Sequence, residues 1–217
     1  MTSSPSGRAY LIRHGQTPWT VTGQHTSVTD IPLTAVGEEE AKAIGVALAH
    51  VTFELVLVSP RQRTQRTAEL AGLTQQAIIE PNLVEWDYGG FEGLTTAEIV
   101  QARGDGWDLW IDGVVAGVTP GEHAADVYAR ARTVLTEVKN VVRHGGNVAL
   151  VAHGHFLRSL GAAWVDLPVI DGRKLALYTG TVSILGYEHG HPVILGWNIP
   201  ATGHSSGDDS VNGNAHP

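Results

Sequence analysis

Two histidine–glycine pairs, each at the end of an apolar run, are the residues of this sequence best suited to chemistry. One is Arg13-His14-Gly15, after Ala9-Tyr10-Leu11-Ile12, and the other is His153-Gly154-His155, after the run from Asn147 to Ala152. An imidazole nitrogen can serve as acid, base, metal ligand or nucleophile. The arginine beside His14 offers a planar, permanently charged fork that suits phosphate oxygens. A glycine next to the histidine lets the backbone turn sharply and approach a bound group. Alone, Arg13-His14-Gly15 reads more readily as a structural histidine at a strand end. A second pair placed the same way argues for a site.

The elements that would position these residues follow from hydrophobic patterning. A parallel strand of an α/β sheet delivers its chemistry at its C-terminal end. The first run, Leu55–Val58 and Asn147–Ala152 read as buried strands, the second apolar on both faces, and Ile78-Ile79 as a further strand. Pro18 to Pro32 reads as an irregular loop. Thr34 caps a helix with Glu38, Glu39 and Glu40 in its first turns, and Ile44, Ala47, Leu48 and Val51 should face the core. Ser59-Pro60 reads as the cap and first position of the next helix, which carries Arg61, Arg63 and Arg66 and ends at Gly72.

An irregular stretch from Pro81 to Gly121 is densest at Glu85-Trp86-Asp87-Tyr88-Gly89-Gly90, with a helix starting at Thr95 or Thr96. Glu122–Val142 is a long amphipathic helix, Phe156–Trp164 another, and Thr181–Tyr187 and Pro192–Trp197 are two strands around a tight turn. Strand–helix alternation predicts an α/β fold, a three-layer αβα sandwich with a mostly parallel central sheet. Residues 8–200 form one domain, and the Ser/Gly/Asp/Asn-rich tail 201–217 is expected to be disordered.

Composition narrows the function. A chain of 217 residues with 42% hydrophobic content can bury a sizeable core. A net charge of −8 without a basic stripe argues against nucleic acid or an anionic membrane as partner. Zero cysteines exclude disulfides, thiolate metal sites and a cysteine nucleophile, and fit a cytoplasmic protein. The Ser/Pro-rich start has no apolar region of a signal peptide, and no stretch is long and apolar enough to cross a membrane. A soluble protein is expected.

Four segments in order, Leu11-Ile12-Arg13-His14-Gly15-Gln16-Thr17, Ser59-Pro60-x-x-Arg63-x-x-x-Thr67-Ala68, Glu85-x-x-Tyr88-Gly89-x-x-Glu92-Gly93 and Val151-Ala152-His153-Gly154, resemble the histidine phosphatase superfamily, the phosphoglycerate-mutase-like group. The resemblance spans Tyr10 to Trp197 and implies a phosphoglycerate-mutase-like fold and a phosphohistidine enzyme with no metal or cofactor. By that match His14 is the nucleophile, Glu85 the proton donor, and Arg13, Arg63, His153 and Gly154 bind phosphate. Thr20, Thr26 and Ser27 follow as further contacts of the first loop with substrate. Family members are often dimers, and the last strand pair would supply an edge for a homodimer.

The chemistry agrees with those residue types. A phosphate monoester repels nucleophiles, so two arginines that neutralise it and position it supply much of the catalysis. Neutral imidazole attack gives a phosphohistidine that water hydrolyses. His153, charged near bound phosphate, would stabilise the phosphoryl oxygens, and Glu85 would protonate the leaving alkoxide, then take a proton from water.

Other readings compete at several positions. Arg61 and Arg66 read as a solvated helix face, Glu92 competes with Glu85, and Trp107 and Trp110 read as packing residues of a cap. His155 would support the site, and no carboxylate cluster favours a metal at His153 and His155. Thr20 stands where the mutase branch usually has asparagine, and Val84–Gly121 carries only Arg103 as a basic residue. Trp86, Tyr88, Phe91, Trp107 and Trp110 instead suggest monoesters with apolar or aromatic leaving groups. Glu85-Trp86-Asp87-Tyr88-Gly89 and His153-Gly154-His155-Phe156 resemble bacterial broad-specificity acid phosphatases of this superfamily. The alternatives are a phosphoglycerate mutase or sugar bisphosphatase of the same fold, and a non-catalytic phospho-ligand-binding module.

Overall fold

Alternating side chains on short apolar strands divide the core into two layers. The computed structural model describes residues 7–201. In it β1 (Ala9–Arg13), β2 (Leu55–Val58), β3 (Ala77–Ile79) and β4 (Val148–Ala152) run parallel. Ala9, Leu11, Leu55, Leu57, Val148 and Leu150 point into one hydrophobic cluster, and Tyr10, Ile12, Val56, Val58, Ala149 and Val151 into the other. This is the period of two that a strand imposes, here with both faces covered. β5 (Thr181–Glu188) pairs antiparallel with β1, and β6 (His191–Pro200) closes the sheet in the order β3-β2-β4-β1-β5-β6.

Two helical layers cover the faces. After the short α1 (Pro18–Thr22), α2 (Ala35–Leu48) and α3 (Gln62–Leu70) bury Ile44, Leu48 and Ala68 against one face. α4 (Thr96–Arg103) and α5 (Leu109–Asp112) bury Ile99, Leu109 and Trp110 in the cluster on the other face. α6 (Ala124–Arg143) and α7 (Gly154–Trp164) cover the other face through Val127, Ala131, Val134, Phe156, Leu157 and Leu160. The fold is the expected three-layer α/β sandwich. The tail beyond Ala201 and the first six residues lie outside the described residues.

Several local expectations need correction. The stretch from Pro18 to Pro32 is not all loop, because Thr17 and Thr20 form a reciprocal capping box around α1. Two threonines do this in place of the usual Ser/Thr and Glu/Gln, which hides the signal. Ser59 does not cap α3, which starts at Gln62, since the Ser59 hydroxyl is engaged elsewhere. Ala47 and Val51 are only half-buried. Thr34 and Thr95 do cap their helices, Thr95 in a capping box with Glu98.

Candidate active site

Parallel neighbours deliver their next residues side by side. Arg13 of β1 lies opposite Ala152 of β4, and the His14 N–H donates to the Ala152 carbonyl at 3.1 Å. The rings of His14 and His153 therefore meet edge to face, 5.2 Å apart. On the far side of β4, Ser59 follows β2 and donates its N–H to the Val151 carbonyl at 3.0 Å. Ser59, His153 and His14 thus stand in a row at the C-terminal edge of the sheet, where open α/β sheets bind ligands.

His14 has the protonation pattern of a nucleophile. Its Nδ1 lies 2.8 Å from the Gly15 carbonyl oxygen. A carbonyl only accepts, so Nδ1 carries the proton and Nε2 keeps its lone pair. Burial, then the positive charges of Arg63 and Arg13, hold the imidazole well below the ordinary histidine value, opposed by the Gly15 bond. Gly15 packs on α2 with no room for a side chain, since a Cβ there would sit 2.2 Å from the Gly37 carbonyl oxygen.

The two arginines differ. Arg13 donates through Nη1 to the Leu177 carbonyl, while its Nε is buried without a protein partner. Its guanidinium packs on Gly154, where a Cβ would lie 3.2 Å from Cζ. Burial lowers its pKa, and the charge of Glu85 is the leading influence in the other direction. Arg63 is wholly buried and spends its donors on protein: Nε on His153 Nδ1 at 3.2 Å, Nη1 on the Thr29 carbonyl and Nη2 on the Thr26 carbonyl, both at 3.2 Å. Because His153 Nδ1 accepts, its Nε2–H donates to Ser59 Oγ at 2.8 Å. Burial first, then Arg63 and His14, hold His153 well below the ordinary histidine value. Both this shift and the bond from Arg63 favour a neutral His153.

Glu85 and Glu92 separate by what they touch. Glu85 Oε1 accepts from the N–H groups of Trp86 at 2.9 Å and Phe156 at 2.8 Å, and Oε2 from that of His155 at 3.1 Å. Its carboxylate thus sits on the first turn of α7, where N–H groups have no helical partner. Glu92 instead takes the Ser27 N–H, the Ser27 hydroxyl at 2.6 Å and the Thr29 N–H, bracing the first loop. That leaves the Ser27 side chain turned away from the cavity.

A cavity of about 530 Å³ opens at this edge, lined by Arg13, His14, Thr20, Thr26, Glu85 and Gly154 among the sequence candidates. Arg63, His153 and Ser27 do not line it. Thr20 is tied to Thr17 and Thr26 to the Gln24 carbonyl at 3.2 Å. Arg66 pairs with Glu38 and Glu69 on the surface, as its helix-face reading implied. Among the described residues no group of three or more His, Cys, Asp or Glu side chains could hold a metal ion. No helix among them is long and apolar enough to cross a membrane.

Residues 9–200 match the family model of the histidine phosphatase superfamily, branch 1. The chain belongs to that superfamily. An acid phosphatase of Mycobacterium tuberculosis is 40% identical over 187 residues, covering 84% of this chain and 88% of that protein. Sedoheptulose 1,7-bisphosphatase of Saccharomyces cerevisiae is 30% identical over 192 residues, covering 75% and 69%. A solved structure of an open reading frame product from Mycobacterium tuberculosis is similar with a TM-score of 0.83 and 36% identity, over 90% of this chain and 99% of that one.

Several cavity residues of this histidine phosphatase escaped the sequence reading. His25 is one, joining the aromatic wall where Tyr88, Trp107 and Trp110 stand as the sequence suggests, so both tryptophans line the cavity as well as pack. Tyr88 Oη and His155 Nδ1 are hydrogen-bonded at 2.7 Å. Arg158, Arg173 and Lys174 also line the cavity, outside the stretch Val84–Gly121 in which the sequence carries only Arg103 as a basic residue. Arg158 could have been found from its i+4 spacing to Gly154 on one helix. Arg173 and Lys174 lie too far along the chain for any spacing rule.

Proposed function

We propose that this histidine phosphatase is a metal-independent enzyme that hydrolyses small phosphate monoesters through a phosphohistidine on His14. The observation that carries the reading is the His14–Gly15 hydrogen bond, which frees Nε2 on a cavity wall beside the unpartnered Arg13 Nε. A buried donor without a partner needs an acceptor, and a phosphoryl oxygen supplies one. In the first step Nε2 attacks phosphorus, the ester P–O bond breaks, and the leaving alkoxide takes a proton from Glu85. In the second, water attacks phosphorus, the N–P bond breaks, and the water proton returns to Glu85 as inorganic phosphate forms. Arg13 bears the phosphoryl charge directly, aided by the field of Arg63, whose pKa burial pushes down to about 10 and which stays charged at neutral pH. His153 packs against His14 and can take up a proton beside bound phosphate. Thr20 and Thr26 border the site. A single catalytic domain over residues 8–200 and a cytoplasmic location belong to the same proposal.

The test is hydrolysis of p-nitrophenyl phosphate with EDTA present, followed by acid-free quenching and peptide mass spectrometry for a phosphoryl group on His14. Turnover with the adduct on His14 supports the reading. Turnover lost to EDTA, or an adduct on another residue, overturns it. A parallel phosphoglycerate mutase assay separates phosphatase from mutase.

A further inference from the structure

The wall of the cavity built by α7 and the turn Val169–Lys174 is basic, and the phosphoryl chemistry makes no use of it. Arg158, one turn beyond Gly154, donates through Nε to the Gly172 carbonyl at 3.1 Å and through Nη2 to the Arg173 carbonyl at 2.9 Å. Its guanidinium lies over the Trp110 ring, 5.1 Å from the centroid. Gly172 lets the turn close on this stack, since a Cβ there would meet Trp110 at 2.7 Å. The fork is thus held rigidly, while Nη1 has no protein partner among the described residues. Arg173 faces Asp108 at a loose 3.6 Å, and Lys174 pairs with Asp171 at 2.6 Å on an exposed side chain. Burial lowers the pKa of Arg158, and the charge of Arg13 in the same cavity acts in the same direction.

A rigid guanidinium with a spare edge, beside two further cations and no bonded carboxylate of its own, is an arrangement that recognises an anion. A neutral leaving group would cover it with hydrocarbon and supply no acceptor. The cavity, within the range of small-molecule sites, has room for more than the transferred phosphate. We propose that the alcohol part of the preferred substrate carries a second anionic group, a carboxylate or a phosphate, seated on Arg158, Arg173 and Lys174. Its body then crosses the aromatic wall at Tyr88 and Trp107. This rests on the reading of the cavity as a phosphate monoester site, and it adds an anionic group to the apolar or aromatic leaving group that the sequence suggests.

The experiment measures binding without turnover, on full-length His14→Ala protein, by calorimetry at fixed salt. Phenyl phosphate, 4-carboxyphenyl phosphate and 1,4-phenylene bisphosphate are compared, then repeated with Arg173→Gln and Lys174→Gln added. The expected result is binding about ten-fold tighter for one or both doubly anionic esters, a preference the added substitutions reduce to about two-fold or less. Whichever ester gains more identifies carboxylate or phosphate as the group recognised. Arg158→Lys, which keeps the charge but loses the fork, should cut the preference without removing it. Equal affinity for the three esters, a preference that survives neutralisation, or no binding of any ester overturns the proposal. Failure of the phosphatase reading shows separately, as absence of the His14 adduct in the unsubstituted protein.

Discussion

His14 is kept neutral by two influences that act together, loss of solvent and the nearby guanidiniums. Each disfavours the imidazolium, so the lone pair at Nε2 survives where a solvent-exposed histidine would be protonated. The acid limb of kcat/KM assigned to His14 should therefore fall below pH 6.5, once the ester's own ionisation near about 6 is allowed for. A pH–rate profile with a limb at or above the ordinary histidine value would contradict this. Ser59 offers a second test at this scale. Ser59→Ala leaves the His153 Nε2–H buried without its 2.8 Å partner. It should cost about 1–3 kcal/mol of stability, read by urea denaturation, and lower kcat more than it raises KM. These partners were invisible in the chain, since Ser59 and His153 are brought together only by β2 lying next to β4.

At the scale of elements, the site depends on how closely β1 and α2 approach. Gly15 and Gly37 each leave no room for a Cβ, which would lie 2.2 Å and 2.1 Å from the opposing backbone oxygen. Gly15→Ala should destabilise the protein by about 1–3 kcal/mol and displace His14, with activity falling further than stability implies. Wild-type turnover and melting in this variant would show that the contact relaxes freely. The same scale explains which elements were legible. Buried strands and the long α6 declare themselves by hydrophobic period, whereas α1 is short and capped by two threonines.

Among the described residues four histidines are buried, His14, His25, His153 and His155, each with its pKa lowered chiefly by burial, and that of His25 to about 4. Unfolded chains protonate these rings near pH 6.5, and the folded protein does not. Below pH 6.5 the unfolded state binds more protons, so stability must fall as the pH falls and rise as it rises. His25 alone can account for a loss of roughly 3 kcal/mol by pH 4. Urea unfolding at pH 7, 5.5 and 4.5 should give a declining free energy. A flat profile would mean that the four rings are not held neutral together.

What the sequence by itself determined was the local part: apolar strands ending in Arg13-His14 and His153-Gly154, the cap at Thr34, and the superfamily that these motifs share. Such features are legible because backbone periodicity and capping depend on residues a few positions apart. The tertiary structure alone decided which partners those residues meet. It gave Glu85 to the first turn of α7, Ser27 to Glu92 and Ser59 to His153. It also brought Arg158, Arg173 and Lys174 to the cavity wall. Strand order and helix packing set these contacts across tens of residues, and no local spacing encodes them.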